Sequence, residues 1–435
     1  MGRHGHRRDA PARAAPARGG IALRGSGGPR NPPPVDTHGH GHGHGPAAPA
    51  GHRVRVLLAV LLVPCAAASV LGVLFLYPFG SDHRLPADQV GQRVNARVGA
   101  ATAADCSAGG SGQHAPDPGR QHCVALSLLL ATGPAAGRGI VSVVPVEPST
   151  PRFAVGDDVV LGYNGGDPTD TDSYSVDDFQ RGSSLWILGL LFAAAVIALG
   201  RWRGLAALGA LGVSFVVLIG FVLPAILDGR NPLAVAVVGA CLIMFAVLYM
   251  SHGLSARTST AVVGTLVSLG LIGVLGEVFA AASRLTGLDD ETQHLVGSLG
   301  AGSPLDPRGL LLAGFVIGAL GVLDDVTVTQ TSAVWELRRA NPGLSAGGLF
   351  TAAMRIGRDH MSSAVNTLVL AYAGASLPLL LLFVITRRDL VDSLTDQSVA
   401  TEIVRTLVGS IGLIASVPIT TGVAALVASQ EQVGG

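Results

Sequence analysis

The sequence has few charged residues and no lysine. Charged residues make up 13% of its 435 residues, and all 29 of its basic residues are arginine. A soluble domain uses about 25% charged residues. Hydrophobic residues instead make up 49% of the chain, and the mean hydropathy is +0.50. These values exclude a cytosolic protein, a disordered chain and a secreted disulfide scaffold, and they predict a polytopic membrane protein.

The apolar residues occur in runs long enough to cross a bilayer. A hydrocarbon core of ~30 Å needs about 20 helical residues. Arg53 and Arg55 precede the first run, so the positive-inside rule places the N-terminus in the cytoplasm, and an even number of spans returns the C-terminus there. Arg387 and Arg388 do not follow the positive-inside rule, because this topology places them outside the cytoplasm. The predicted spans are an anchor and seven later helices at 54–77, 184–200, 205–227, 233–250, 261–282, 309–328, 364–385 and 403–428.

Composition divides the chain into five segments. Residues 1–52 are a basic cytoplasmic tail rich in His, Gly and Pro, which we expect to be disordered, and residues 53–78 are the N-terminal transmembrane anchor. Residues 80–183 form an acidic extracytoplasmic segment. Residues 184–428 form a seven-helix transmembrane domain, and residues 429–435 form a short C-terminal tail. The predicted fold class is therefore an all-α helical transmembrane bundle of about eight spans with a small extracytoplasmic all-β domain.

The extracytoplasmic segment alternates short β-like stretches with turn signals. Strands this short, with no helical pattern between them, predict a small barrel or sandwich of the OB type, and we expect the OB-like barrel. The segment is acidic and has no surface that combines aromatic and basic residues, so we expect no nucleic-acid binding. A protein partner outside the membrane is compatible with such a domain.

Two cysteines and a histidine tract point to different chemistry. Cys106 and Cys123 lie in the extracytoplasmic segment, where an oxidising compartment favours a disulfide between them; the alternative is two unpaired thiols. The tail contains a tract in which imidazoles could bind zinc or nickel, and the alternative is that these histidines are incidental. No other cofactor is expected. The candidate metal ligands are His38, His40, His42 and His44.

The sharpest chemical signal lies in the run at 309–328. Its purely apolar part is only about 22 Å long as a helix, which is shorter than the ~30 Å hydrocarbon core. A crossing helix must therefore carry Asp324 and Asp325 into the bilayer, where an acid costs ~2.5–3.5 kcal/mol. Helical spacing puts Thr329 on the face of Asp325 and Thr327 near Asp324. This pattern predicts a proton or cation site, and the alternative is that both acids only mark the cytoplasmic end of the helix.

Other polar residues in apolar runs are weaker candidates. Glu277 lies late in the run at 261–282, where it is either the second carboxylate of a relay or a residue satisfied by hydroxyl groups inside the bundle. Asn366 opens the run at 364–385 and can either join helices or face an inner vestibule. Pro378 is predicted to break the same helix.

Two long stretches carry a family resemblance. They read GVLDDVTVTQTSAVWELRRANP at 321–342 and RIGRDHMSSAVNTLVLAYAGASLPLLLLF at 355–383, and they resemble the YibE/YibF-like membrane protein family. The resemblance covers roughly residues 85–428. It implies a multipass plasma-membrane protein, and it carries over no functional residues because the family has no assigned catalytic activity. The two stretches contain the candidate residues Asp324, Asp325, Thr327, Gln330 and Asn366.

Two functions follow from these observations. The first is a transporter or permease for an ion or small solute, with Asp324 and Asp325 as its coupling or substrate site. The alternative is a non-catalytic membrane scaffold or regulator whose extracytoplasmic domain binds a partner. An enzyme is not expected, because the sequence has no HExxH, GxSxG or Walker A motif and no second aspartate on a facing helix.

Overall fold

The computed structural model describes most of the chain. The N-terminal tail up to residue 50 and the pair Arg387 and Arg388 lie outside its described residues, so the predictions on them concern the sequence alone. The described residues are 51–80, 92–106, 122–300, 304–386 and 394–430.

The described residues of the predicted β-rich segment fold as one antiparallel sheet. Its five strands are β1 (Gln92–Asp105), β2 (His122–Leu130), β3 (Gly139–Pro145), β4 (Asp158–Tyr163) and β5 (Tyr174–Phe179). They lie side by side in the order β3-β2-β1-β4-β5.

Alternating side chains build the core of this sheet. Successive residues of a strand point to opposite faces, so Val94, Ala96 and Val98 of β1 all point to one face, and all three are buried. They pack with Leu128 of β2 and Leu161 of β4. The sheet thus has one apolar face that is covered within the segment itself.

The sheet is curled, but the described residues do not close it into a barrel. Ladders join β1 to β2 and β4, β2 to β3, and β4 to β5. Irregularities in the register at Val98/Ala100 and Val160/Leu161 bend the sheet. Among the described strands no ladder joins the edges β3 and β5, so the predicted OB-like barrel is not confirmed.

The predicted disulfide between Cys106 and Cys123 is present. It forms at the point where β1 ends and β2 begins, because Ala104 of β1 is the ladder partner of Cys123. The neighbouring strands therefore bring the two sulfur atoms together. Cys65 and Cys241 are free thiols in helices.

The remaining described elements are helices, and six helical runs are long and apolar enough to cross a membrane: α1, Gly182–Leu227, α4, α5, α7 and α10. The predicted number of about eight spans is not confirmed. The helices are α1 (His52–Leu76), α2 (Gly182–Val217), α3 (Leu223–Leu227), α4 (Pro232–His252), α5 (Ala256–Ala282), α6 (Asp290–Leu299), α7 (Pro307–Ala340), α8 (Ala346–Ala375), α9 (Leu377–Thr386) and α10 (Gln397–Ser429), with a π-helical turn between α2 and α3.

Two of the predicted spans fall within the single run Gly182–Leu227. Arg201 has a non-helical backbone with φ 51° and ψ −129°. A side-chain carbon on Gly204 would collide with the carbonyl oxygen of Val196, although residues so spaced in a straight helix lie about 12 Å apart along its axis. The chain therefore turns back at Arg201, and the run consists of two arms, one for each predicted span.

The span predicted at 364–385 is interrupted. Helix α8 ends at Ala375 and α9 begins at Leu377. Pro378 has no backbone N–H with which to continue the hydrogen-bond ladder of α8. The predicted break is thus confirmed, and neither of the two helices by itself counts among the six membrane-crossing runs.

Helix α7 lies among the other long helices and contacts α4, α5, α8 and α10. Near its start, Phe315 lies against Gly276 of α5. Further along, Thr327 hydrogen-bonds to Thr265 of α5. Residues later in α7 contact residues earlier in α5, so the two helices are antiparallel. This orientation determines which residues of the two helices lie at the same height in the bundle.

Candidate functional site

Polar side chains of α7 face the interior of the bundle. Thr327, Gln330 and Thr331 are at most 1% exposed, and their spacing places them on one side of the helix. The same side carries Leu323 and Val334, which are equally buried. Packing of the apolar residues thus carries hydroxyl and amide groups into the interior, where they need hydrogen-bond partners.

Helices α5 and α10 supply these partners. The hydroxyl oxygens of Thr265 and Thr327 lie 2.9 Å apart, and the Thr421 hydroxyl donates to Oε1 of Gln330 at 3.0 Å. Thr420 is fully buried between α10 and α5. We call this group, together with one acid of α7, the polar cluster: Thr265, Asp324, Thr327, Gln330, Thr420 and Thr421.

Asp324 brings a carboxylate to the polar cluster. Its Oδ1 atom is buried and has no hydrogen-bond partner in the described part of the chain. The hydroxyl group of Thr265 lies beside this carboxylate. The backbone carbonyl of Asp324 accepts a hydrogen bond of 3.2 Å from the Thr327 hydroxyl. Asp324 is therefore held among hydroxyl groups and still has a carboxylate oxygen free to bind.

Two more buried atoms of the polar cluster lack a partner among the described residues, Nε2 of Gln330 and Oγ1 of Thr420. Buried polar atoms in proteins are almost always hydrogen-bonded to protein or to ordered water. With Oδ1 of Asp324, these atoms leave capacity for a small polar guest. Oxygen atoms of carboxylates, amides and hydroxyl groups are ligands for hard cations, and a carboxylate beside hydroxyl groups can also take up and release a proton.

Glycines bring the backbones close enough to form the polar cluster. A Cβ atom on Gly357 of α8 would lie 2.8 Å from Oε1 and 2.9 Å from Nε2 of Gln330, and one on Gly264 of α5 would collide with Thr420. Contacts this short do not leave room for a side chain. Helices α5 and α8 therefore approach the cluster only because these two positions lack one.

Asp325 lies outside the polar cluster. Its side chain is 77% exposed, and its Oδ2 atom lies 3.9 Å from Nε2 of His360 on α8. Thr329, one turn later, is half-buried. Because successive helical residues are rotated by about 100°, the two neighbouring acids face different surroundings. The predicted site thus divides: Asp324, Thr327 and Gln330 come together, whereas Asp325 and Thr329 do not join them.

Glu277 and Asn366 also lie away from the polar cluster. Glu277 forms an exposed ion pair with Arg308, with 2.6 Å between Oε1 and Nη2. It is about 18 Å from Thr265 along α5, so it is not a neighbour of Asp324 and the predicted relay has no direct contact. Asn366 is exposed on α8 and does not join α7 at the cluster.

Thr265, Thr420 and Thr421 were not predicted from the sequence. Each is a hydroxyl residue in an apolar run, and such residues often bond only to a carbonyl of their own helix, so they gave no distinct signal. Pro418, which lies inside α10, was the one local cue to that region. These residues can be assigned to the polar cluster only when it is known which helices are neighbours.

An ion pair within α10 was also not predicted from the sequence. Nη1 of Arg405 lies 2.5 Å from Oε1 of Glu402, and the guanidinium carbon lies 5.6 Å from the ring centre of Phe315. The pair is about 24 Å from Thr421 along α10. It is therefore separate from the polar cluster.

No three His, Cys, Asp or Glu side chains meet as metal ligands within the described ranges. The histidines proposed for the tail, His38, His40, His42 and His44, lie outside those ranges. Binding of zinc or nickel by the tail remains a prediction.

Comparison with known proteins adds one family. The family model described as YibE/F-like protein matches residues 188–430. This match includes most of α2, all the helices from α3 to α10, and the polar cluster. It begins after the β-sheet, so the resemblance expected over 85–428 is confirmed for the helical part alone. No curated protein and no solved structure matches the chain.

Proposed function

We propose, from the premise that the chain belongs to the YibE/F-like protein family, that it is a multipass plasma-membrane transporter which moves an ion or small solute past Asp324. Its helical domain is the transporting part, and the polar cluster is its coupling or substrate site. Both termini lie in the cytoplasm in this proposal, as the positive-inside rule indicates. The proposal includes no catalytic reaction.

The position of Asp324 along α7 carries the proposal. This helix has 34 residues, of which about 20 are needed to span the hydrocarbon core. Any 20 consecutive residues of α7 include positions 321–326. Asp324 therefore falls inside the core wherever α7 is placed across the bilayer, and Arg308 and Arg339 fall towards its two ends.

The chemistry of the polar cluster favours a proton or a cation over an anion. A carboxylate inside the membrane is costly unless it is neutralised or paired. Binding a proton or a cation at Asp324 neutralises it, and hydroxyl oxygens of Thr265 and Thr327 supply further ligands of the kind that hard cations use. Asp324 is therefore charged when the site is empty and neutralised when a proton or a cation is bound.

Flux through reconstituted chains tests the proposal. The full-length protein is placed in liposomes, and movement of protons, sodium and potassium is measured under an imposed gradient. We expect flux of at least one ion in the parent and its loss in Asp324→Asn, because an amide neither takes up a proton nor balances a cation. The matched control is Asp325→Asn, the same change at a residue outside the polar cluster, which should retain flux.

Two results would contradict this function. Equal flux in Asp324→Asn and the parent would show that Asp324 is not the coupling or substrate site. Equal loss of flux in Asp324→Asn and Asp325→Asn would show that the two acids do not have different roles in transport. Protein recovery and monodispersity of each variant are compared first, so that a folding defect is not counted as loss of transport.

A groove on the β-sheet favours a second function, a scaffold or regulator that binds an extracytoplasmic partner. The groove has a volume of about 340 Å³ and lies along β2 and β3, where Val146 is 41% exposed. A parent chain without flux for any tested ion would favour this function. The groove is lined by Val124, Leu126, Val144, Pro145, Val146, Thr150, Pro151, Arg152 and Phe153.

A further inference from the structure

One side of α7 is exposed in the described part of the chain, and α8 lies along one edge of it. Gly314, Gly318, Gly321 and Asp325 are exposed, and their spacing of three or four residues places them on one side of the helix. A Cβ atom on Gly321 would meet no atom within 4 Å. Small residues on the surface of a membrane helix allow another helix backbone to come close.

Helix α8 borders this side of α7 with polar residues. Ser362, Ser363 and Asn366 are exposed, whereas the opposite side of α8 packs against the bundle through Gly357 and Leu368. Two hydroxyl groups and an amide thus face outward within about one helical turn. We call the combined surface the α7–α8 face, defined by Gly314, Gly318, Gly321, Asp325, Ser362, Ser363 and Asn366.

Contacts between α7 and α8 show which residues of the two helices lie at the same height. A Cβ atom on Gly357 would touch Gln330, and one on Gly318 would lie 3.2 Å from the hydroxyl of Tyr372. Helices α7 and α8 are therefore antiparallel, and the polar residues of α8 lie level with Asp325. That acid is within positions 321–326, which fall inside the hydrocarbon core for any placement of α7.

Lipid is an unfavourable cover for the α7–α8 face. Asp325 has a side chain that is 77% exposed, and an acid at the centre of a membrane helix costs ~2.5–3.5 kcal/mol on insertion scales. Hydroxyl and amide groups that face hydrocarbon without a partner add to this cost. The face therefore needs a covering that has its own hydrogen-bonding groups.

We propose that a second copy of this chain covers the α7–α8 face, in a two-fold symmetric dimer whose axis follows the membrane normal. Such an axis keeps each residue at its own depth and makes the same surface face itself. Asp325 of each copy then meets the level of Ser362 and Asn366 of the other. A carboxylate acceptor is thereby matched with hydroxyl and amide donors, and the glycines permit the close approach.

The charges of α8 also suit a self-complementary surface. Arg358 and Asp359, which precede the residues of the α7–α8 face on α8, are adjacent and exposed, so charges of both signs lie next to this face at nearly one depth. In a two-fold dimer each arginine can pair with the aspartate of the other copy. An unlike partner would need no such balance of both signs on one surface.

The proposal requires that α7 crosses the membrane, and it does not require that the chain transports anything. Cysteine cross-linking tests it in bilayers. Two differently tagged full chains are produced together, one with Asp325→Cys and the other with Ser362→Cys or Asn366→Cys, each with Cys65 and Cys241 replaced by alanine and with the Cys106–Cys123 disulfide intact. We expect oxidation to give covalent dimers between the two chains, because Asp325 of one copy faces Ser362 and Asn366 of the other.

The matched control pairs the Asp325→Cys chain with a chain that carries Val267→Cys on α5. Val267 is 50% exposed and lies level with Asp325, because its neighbour Thr265 bonds to Thr327. It should give few dimers. Equal cross-linking at all three positions would overturn the proposal. Rapid labelling of Ser362→Cys by a membrane-impermeant maleimide would also overturn it, because it would show a water-filled vestibule instead of a second copy.

A glycine substitution tests the close approach without disturbing the single chain. Gly321→Leu adds a side chain where the single chain leaves open space, and it should raise the fraction of single copies counted by photobleaching in nanodiscs. Gly270→Leu on α5, which is also open, should leave the dimer intact. A parent that is monomeric in nanodiscs, or equal dimer fractions in both variants, would overturn the inference. A parent chain that forms the dimer but shows no ion flux would contradict the proposed transport function and leave the dimer proposal standing.

Discussion

At the scale of single residues, the polar cluster depends on glycines as much as on polar side chains. Gly264 lets Thr420 reach the interior between α5 and α10, and Gly357 lets α8 lie against Gln330. Gly270, on the same helix as Gly264, faces open space. These two glycines of α5 thus have identical chemistry and different surroundings.

Gly264→Ala should lower stability, and Gly270→Ala should not. The added methyl group at 264 collides with Thr420, and overpacking of a filled interior costs about 1–3 kcal/mol. At 270 the alanine meets no atom, and it favours the helix slightly. The two variants are compared by thermal unfolding of the full chain in one detergent. Equal midpoints would show that α5 and α10 are not packed as described.

The sequence was sufficient to single out some cluster residues and not others. Asp324 was recognisable because an acid at the end of a short apolar run must enter the bilayer. Thr265 and Thr421 were not, because a hydroxyl in an apolar helix gives no hint of its partner. The outward position of Asp325 depends on how α7 is rotated against its neighbours, which the spacing of two adjacent acids does not reveal.

At the scale of elements, an ion pair joins two strands of the sheet. Arg97 of β1 is the direct ladder partner of Asp158 of β4. Its guanidinium binds the carboxylate with two hydrogen bonds, from Nε at 2.7 Å and from Nη2 at 3.1 Å. These hydrogen bonds hold the pKa of Asp158 below its ordinary value. Both side chains are exposed, so the effect is small and is screened by salt.

The pairing of β1 with β4 should weaken in acid. A carboxylate with a lowered pKa in the fold contributes stability above its unfolded pKa of about 3.9, and this contribution is lost as the pH falls through the lowered value. Hydrogen-exchange protection of β1 and β4, corrected for intrinsic rates, should therefore fall below about pH 4. Asp158→Asn and Arg97→Gln should each reduce this pH dependence. An unchanged dependence in both variants would exclude the pair as its cause.

Elements were predicted well where a local signal sets them. The break at Pro378 follows from a missing N–H group, and the described strands β1 to β4 were predicted from short β-like stretches. Strand β5 was not predicted. The barrel was not confirmed, because closure depends on how far β3 and β5 curl towards each other and no local pattern records that. The span count of about eight is not confirmed, because the two spans predicted at 184–200 and 205–227 form one helical run that turns at Arg201, and the span predicted at 364–385 is divided between α8 and α9.

At the scale of the whole chain, the family match and the chemistry coincide in the helical part. Residues 188–430 match the YibE/F-like family, and they contain the polar cluster and the α7–α8 face. Both lie at the middle of α7, one towards α5 and α10 and the other outward. The β-sheet precedes the match, so its groove is a feature of this chain beyond the family region.

The middle of α7 is expected to lie within the hydrocarbon core, and both the proposed site and the proposed dimer depend on this position. Single cysteines at Asp306, Gly321 and Ala340, in the background without Cys65 and Cys241, are exposed to a membrane-impermeant maleimide from each side of the bilayer. We predict that Asp306→Cys reacts from one side only, Ala340→Cys from the opposite side only, and Gly321→Cys from neither. Reaction of Gly321→Cys as fast as that of either end, or reaction of both ends from the same side, would contradict the account.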